Sequence, residues 1–153
     1  ALLGGDKGDF RIQILKEEAR RKNVEVTEFM FTSLAFTIPQ QMHEMYLEVK
    51  RNWNSLCRFR AWHCVTDLWA LGALSAKNEI APDQDIFISG YDNMEENANY
   101  SSNMPAINTI DPFYRRFGEM AAELLFQSSS AQKLYLLDSK FILRKTLQNS
   151  REE

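Results

Sequence analysis

Strand-like and helix-like runs alternate from Leu2 to Ile88 with short connections, and this alternation restricts the fold more than any other feature. A β-α-β-α-β-α-β order with short links is the pattern of a parallel sheet covered by helices on both faces, a three-layer α/β sandwich. Leu2-Leu3 reads as a short strand closed by Gly4-Gly5. Asp9 is placed to cap a helix from Phe10 to Lys22, with Ile12, Leu15 and Ala19 at helical spacing. Val24 to Thr32 carries the β-branched and aromatic content of a strand. Pro39 opens a helix whose Met42, Met45, Tyr46, Val49 and Trp53 form one apolar stripe, the signature of a core-facing surface. Ala61 to Thr66 is the next strand. Asp67 stands where an N-cap belongs before a helix from Leu68 to Asn78, and Ala81-Pro82-Asp83-Gln84 delivers the chain into the strand Ile86-Phe87-Ile88.

The last third differs. Ala106 to Ile110 is extended, and Asp111-Pro112 starts a helix with proline at its first position. That helix, running to Gln127, presents Phe113, Phe117, Met120, Ala121, Leu124 and Leu125 as a wide apolar face. Such a face is costly in water, so it is expected to fold back on the sheet or pack on a second chain. Lys133 to Leu137 and Phe141 to Thr146 read as strands. Residues 1–146 then form one domain and 147–153 a polar tail.

A length of 153 residues suits one domain with its own core, and 44% hydrophobic with 25% charged residues is the balance of a globular chain. A net charge of −3 provides no footprint for nucleic acid or an anionic membrane, so any DNA contact belongs to another part of the protein. No apolar run is long enough to cross a bilayer, and no signal peptide is visible. The opening Ala1-Leu2-Leu3, without an initiator methionine, reads as the tail of a strand already under way in a longer protein. Cys57 and Cys64 fit neither a redox motif nor zinc spacing. His63 and Cys64, adjacent on a strand, point to opposite faces, so no metal site is expected and the thiols read as reduced and cytoplasmic. No nucleophile elbow or phosphate-binding loop is present, and Gly4-Gly5-x-x-Gly8 lacks the dinucleotide fingerprint. Neither catalysis nor a cofactor is expected.

In an open parallel sheet, ligands bind outside the carboxyl ends of the strands. Asp92 follows Ile86-Phe87-Ile88, Thr66-Asp67 follows the strand through Val65, and Arg11 lies in the helical turn after Leu3. Carboxylates accept from paired hydroxyls and a guanidinium donates a fork, which suits a polyhydroxylated molecule. Each also has a plainer role: Asp67 as a helix cap, Arg11 in a structural ion pair, and Asp92 as the end of a strand.

The order of CVTDLWALGALSAKNEIAPDQDIFISGYDN, INTIDPFYRRFGEMAAELLFQ and FILRKT resembles the C-terminal part of the effector-binding domain of LacI/GalR-type transcription regulators. The residues that carry the resemblance are Thr66-Asp67, Ala70-Leu71-Gly72, Pro82-Asp83-Gln84-Asp85, Gly90-Tyr91-Asp92-Asn93, Asn108-Thr109-Ile110, Gly118 with Leu124-Leu125, and Ile142-Leu143-Arg144-Lys145-Thr146; upstream, Arg11 with Leu15 matches a helix start. The resemblance implies one lobe of a type I periplasmic-binding-protein-like fold, with the helix 111–127 contributed to the other lobe. It also implies a cytoplasmic homodimer that senses a sugar or sugar-like effector through Arg11, Thr66, Asp67 and Asp92. Pairing would run through Leu71, Leu74 and Tyr100, and DNA would be bound only by a missing N-terminal domain. Thr66 replaces an asparagine usual in the family, and Ile14 a glycine. The alternative is a sugar-binding protein of a transport system with the same fold, which would lack the helix-turn-helix expected upstream.

Overall fold

The computed structural model describes residues 1–4, 9–31, 37–97, 107–126 and 137–144. Its elements are β1 (Leu2–Gly4), α1 (Phe10–Arg21), β2 (Glu28–Met30), α2 (Ile38–Arg51), α3 (Trp53–Leu56), β3 (Ala61–Cys64) and α4 (Asp67–Ile80), followed by β4 (Phe87–Ser89), α5 (Met94–Asn97), β5 (Thr109–Asp111), α6 (Tyr114–Leu125) and β6 (Lys140–Ile142). The first four strands form one parallel sheet in the order β2-β1-β3-β4. A parallel bridge from Ser89 to Asn108 carries the chain along the β4 edge into β5, which pairs antiparallel with β6. Right-handed crossovers in this strand order put α1 on one face of the sheet and α2 and α4 on the other, which is the expected three-layer α/β architecture.

The core lies between these layers. Leu3, Ile12, Met45, Val49, Leu56, Trp62, Cys64 and Ile88 are buried together. Trp62 donates its indole N–H to the Leu56 carbonyl at 3.2 Å and meets Trp53 edge-on at 5.9 Å. α2 and α4 cross so closely that a Cβ on Gly72 would lie 2.3 Å from the Met42 carbonyl oxygen. Glycine is required there by the approach of two backbones.

Several elements depart from their sequence-based bounds. α1 ends in a left-handed turn at Asn23 (φ 54°), and Val24 donates its N–H back to the Ala19 carbonyl at 2.9 Å. Val24 therefore closes a helix, and β2 starts only at Glu28. Asn52 ends α2, so Trp53 sits in the separate turn α3. The N-cap of α4 is Thr66, whose Oγ1 accepts from the Trp69 N–H at 3.3 Å; Asp67 is the first helical residue. Pro112 does not open α6, because Asp111 is held in the β5–β6 ladder opposite Lys140. The Asp111 carboxylate instead accepts from the Phe113 N–H at 2.7 Å, and Phe113 takes φ 56° before the helix begins at Tyr114. β6 starts at Lys140, one residue earlier than expected, and ends at Ile142.

Leu71 and Leu74, expected at a dimer interface, are 6% and 8% exposed in the chain's own core, because α4 packs on β3 and β4 and against α2. Of the two outcomes expected for the apolar face of α6, folding back onto the sheet and packing on a second chain, the first does not occur: no residue of this helix is buried, and Phe117 and Leu125 are 64% and 85% exposed. Tyr100, the Gly5–Gly8 run, most of the expected strand 133–137, Lys145-Thr146 and the tail 147–153 lie outside the described residues.

Candidate functional site

The carboxyl ends of β1, β3 and β4 lead into Asp9-Phe10-Arg11, Val65-Thr66-Asp67 and Gly90-Tyr91-Asp92. Asp9 caps α1: its Oδ1 accepts from the Arg11 N–H at 2.9 Å. The same carboxylate takes the guanidinium of Arg11, from Nε at 3.0 Å and Nη2 at 2.6 Å. Arg11 also donates from Nη1 to the Val65 carbonyl at 3.2 Å, tying α1 to the end of β3. Its guanidinium carbon lies 4.9 Å from the centre of the Tyr91 ring. Hydrogen bonding between the two side chains holds the Asp9 carboxyl below its usual range and Arg11 above its own, so both are charged.

The strand β4 ends in glycine because of Asp67. A Cβ at Gly90 would meet Asp67 Oδ1 at 2.3 Å and Asp67 Cα at 2.8 Å. Across this contact the Asp67 N–H donates to the Tyr91 carbonyl at 2.8 Å, locking the start of α4 to the loop after β4. The Asp67 side chain is turned inward and is 4% exposed. Its Oδ1 accepts from Thr109 Oγ1 at 2.6 Å and its Oδ2 from the Met94 N–H at 2.9 Å. Burial pushes its pKa up to about 6, against these two hydrogen bonds, which pull it down.

Asp92 holds a strained backbone, φ 111°, beside Asn93 at φ 50°. Its N–H donates to the Ile110 carbonyl at 3.0 Å, and its Oδ1 accepts from the Tyr114 hydroxyl at 2.8 Å. Burial raises the Asp92 carboxyl above its ordinary value, opposed by Tyr114 and by Arg11, while burial and Asp92 together push the Tyr114 hydroxyl up to about 12. Behind them Asn93 donates to Asp111 at 2.8 Å and accepts from Arg144 Nη2 at 2.6 Å. Arg144 also donates to the Ile107 carbonyl and pairs with Glu95 at 3.0 Å.

Of the residues expected at the site, the structure brings Arg11 and Asp92 within electrostatic reach at one sheet edge, with the Tyr91 ring against the guanidinium. Thr66 stands beside them as a helix cap, and Asp67 forms the wall beneath. The sequence reading missed Tyr114, Asn93 and Thr109 as members of this network. Asn93 was legible as the residue after Asp92 and Thr109 as the middle of Asn108-Thr109-Ile110, whereas nothing local marks Tyr114. A strained carboxylate, a cation and an aromatic ring at a sheet edge can bind a small polar molecule; there is no nucleophile–base pair among them. His63 lies apart on β3, its Nδ1 3.0 Å from Ser89 Oγ, and burial lowers its pKa to about 4. Among the described residues no three His, Cys, Asp or Glu side chains are grouped as a metal ion requires. No helix among them is long and apolar enough to cross a membrane.

No protein-family model and no curated protein matches the chain. Solved structures share its fold. The lac repressor dimer bound to operator and the anti-inducer ONPF superposes with a TM-score of 0.75, at 22% identity, over 95% of this chain and 51% of that one. The transcriptional regulator CelR in complex with cellobiose gives 0.70 at 19% identity, over 95% and 46%. A LacI-family transcriptional regulatory protein from Corynebacterium glutamicum gives 0.71 at 24% identity, over 95% and 56%. The chain spans about half the length of these structures and shares their α/β fold over that part.

Proposed function

We propose that this chain is the effector-sensing part of a LacI/GalR-type transcription regulator, responsive to a sugar or sugar-like molecule. The observation that carries the reading is the placement of Arg11 and Asp92 together at the carboxyl edge of the parallel sheet, on either side of Tyr91. Ligand hydroxyls donate to Asp92 and accept from Arg11, and Thr66 contributes its hydroxyl at the same edge. Asp67 is a positioning residue, holding the loop that carries Asp92 against β5.

On this reading the helix α6 belongs to a second lobe that closes over the ligand, and ligand binding favours one arrangement of the two lobes. The parent is a cytoplasmic homodimer, like the lac repressor dimer whose fold it shares, and contacts DNA through a part outside this chain. With Leu71 and Leu74 buried, pairing uses the outer surface of α2 and α4, where Met42, His43, Tyr46 and Ser75 line a shallow apolar groove.

The test is a thermal-shift screen of the full-length parent against sugars, sugar phosphates and nucleosides, followed by calorimetry. Arg11→Ala and Asp92→Ala should each weaken the ligand found by about ten- to a hundredfold, the loss of one charge-assisted hydrogen bond of about 1.5–3 kcal/mol. Unchanged affinity in both variants overturns the assignment.

A further inference from the structure

We infer that Asp9 sets the ligand class of this site: it neutralises Arg11 from within, so the site takes an uncharged, hydroxyl-rich ligand and rejects phosphorylated or carboxylated ones. The inference rests on the sensing role proposed above and deepens it. An arginine in the first turn of a helix, beside exposed backbone N–H groups, is ordinarily a place for an anion. Here that place is occupied. The Asp9 carboxylate receives the Arg11 backbone N–H at 2.9 Å and the guanidinium edge at 3.0 and 2.6 Å, the contacts an external phosphate or carboxylate would make. A third guanidinium nitrogen is held by the Val65 carbonyl. The Nε/Nη2 fork that recognises a planar anion is therefore closed, and one N–H of Nη1 is taken as well.

The surrounding charge acts in the same direction. Among the described residues linked to this edge, Asp9, Asp67, Asp92, Asp111 and Glu95 stand against Arg11, Arg144 and Lys140. Arg144 is itself paired with Glu95 and bonded to Asn93. An incoming anion meets a net negative field, with the Nε/Nη2 edge of Arg11 already taken by Asp9. A hydroxyl loses nothing by that field, since it can donate to Asp92 and accept from one Arg11 N–H.

The experiment uses Asp9→Asn and Asp9→Ser, both of which keep a side chain able to cap α1. Inorganic phosphate is titrated against the chain at constant ionic strength while the Arg11 Nε–Hε resonance is followed. In the wild type this resonance should not move saturably; in both variants it should, with phosphate held at least about tenfold more tightly. Adding Arg11→Gln to either variant removes that resonance, so phosphate binding is then read by calorimetry, and the gain should be abolished. Saturable phosphate binding at Arg11 in the wild type, or no gain in either folded variant, overturns the inference. A second arm tests neutral sugars against their phosphates on the full-length parent: a parent that binds neither sinks the sensing reading and leaves the phosphate result standing.

Discussion

Thr109 Oγ1 donates to Asp67 Oδ1 at 2.6 Å, joining the first strand residue of β5 to the first helical residue of α4 across 42 positions of sequence. The bond is buried, and it holds two elements that flank the candidate site: the start of α4, which carries Thr66, and the strand that leads to Tyr114. Asp67 also receives the Met94 N–H just beyond Asp92, so one carboxylate sets the shape of the Asp92 loop from behind.

Asp67 gives this structure a pH signature. Its folded pKa, about 6, lies above the ordinary 3.8, so the folded state retains a proton that the unfolded state releases. The contribution to stability is full below pH 3.8, declines as pH rises towards 6, and is constant beyond it. Urea titrations should show wild-type stability falling relative to Asp67→Asn by at most about 3 kcal/mol across that window. Thr109→Val should cost about 1–3 kcal/mol at neutral pH and Thr109→Ser less. A pH-independent difference between wild type and Asp67→Asn would contradict the assignment.

Glycine-to-alanine substitutions should separate by sign. At Gly90 and Gly72 the new methyl meets Asp67 and the Met42 carbonyl at 2.3 Å, so each substitution should cost about 1–3 kcal/mol or more. Gly118 has open space around it on a helix, and alanine there should stabilise by about 0.8–1 kcal/mol. Denaturation midpoints measured side by side test all three.

Asp92 keeps a backbone conformation, φ 111°, that L residues rarely adopt. Asp92→Gly should therefore be more stable than Asp92→Ala by about 1–3 kcal/mol, although both remove the carboxylate. Thermal melts of the pair decide it, and equal stability would mean that the loop relaxes in the variants.

The apolar side chains of α6 should contribute little to the stability of this chain. Phe117→Ser and Leu125→Ser, at 64% and 85% exposed positions, should change it by no more than about 0.5 kcal/mol. Met45→Ala, at a buried position in α2, should cost about 2–5 kcal/mol. Sedimentation of the α6 variants across a concentration series should show less self-association than the wild type. Undiminished association would place the contact elsewhere.

The alternation of strand and helix, the Asp9 cap, the Met45 and Val49 stripe and the strand ending in Gly90-Tyr91-Asp92 were all legible in the sequence. Each follows from spacing or from preferences acting over a few residues. The parallel character of the sheet was legible in the same pattern, whereas its strand order, β2-β1-β3-β4, and its register came from the tertiary structure. Other features required the tertiary structure. Thr66 rather than Asp67 caps α4 because Thr109 and Met94 draw the Asp67 carboxylate into the interior. Val24 closes a helix despite its β-branched side chain because Asn23 turns left-handed beneath it. Leu71 and Leu74 are core because α2 covers α4, and α6 stays uncovered because its apolar face finds no surface among the described residues. Local preference acts between neighbours in sequence, whereas the direction a side chain faces is decided by partners that the fold brings to it from elsewhere in the chain.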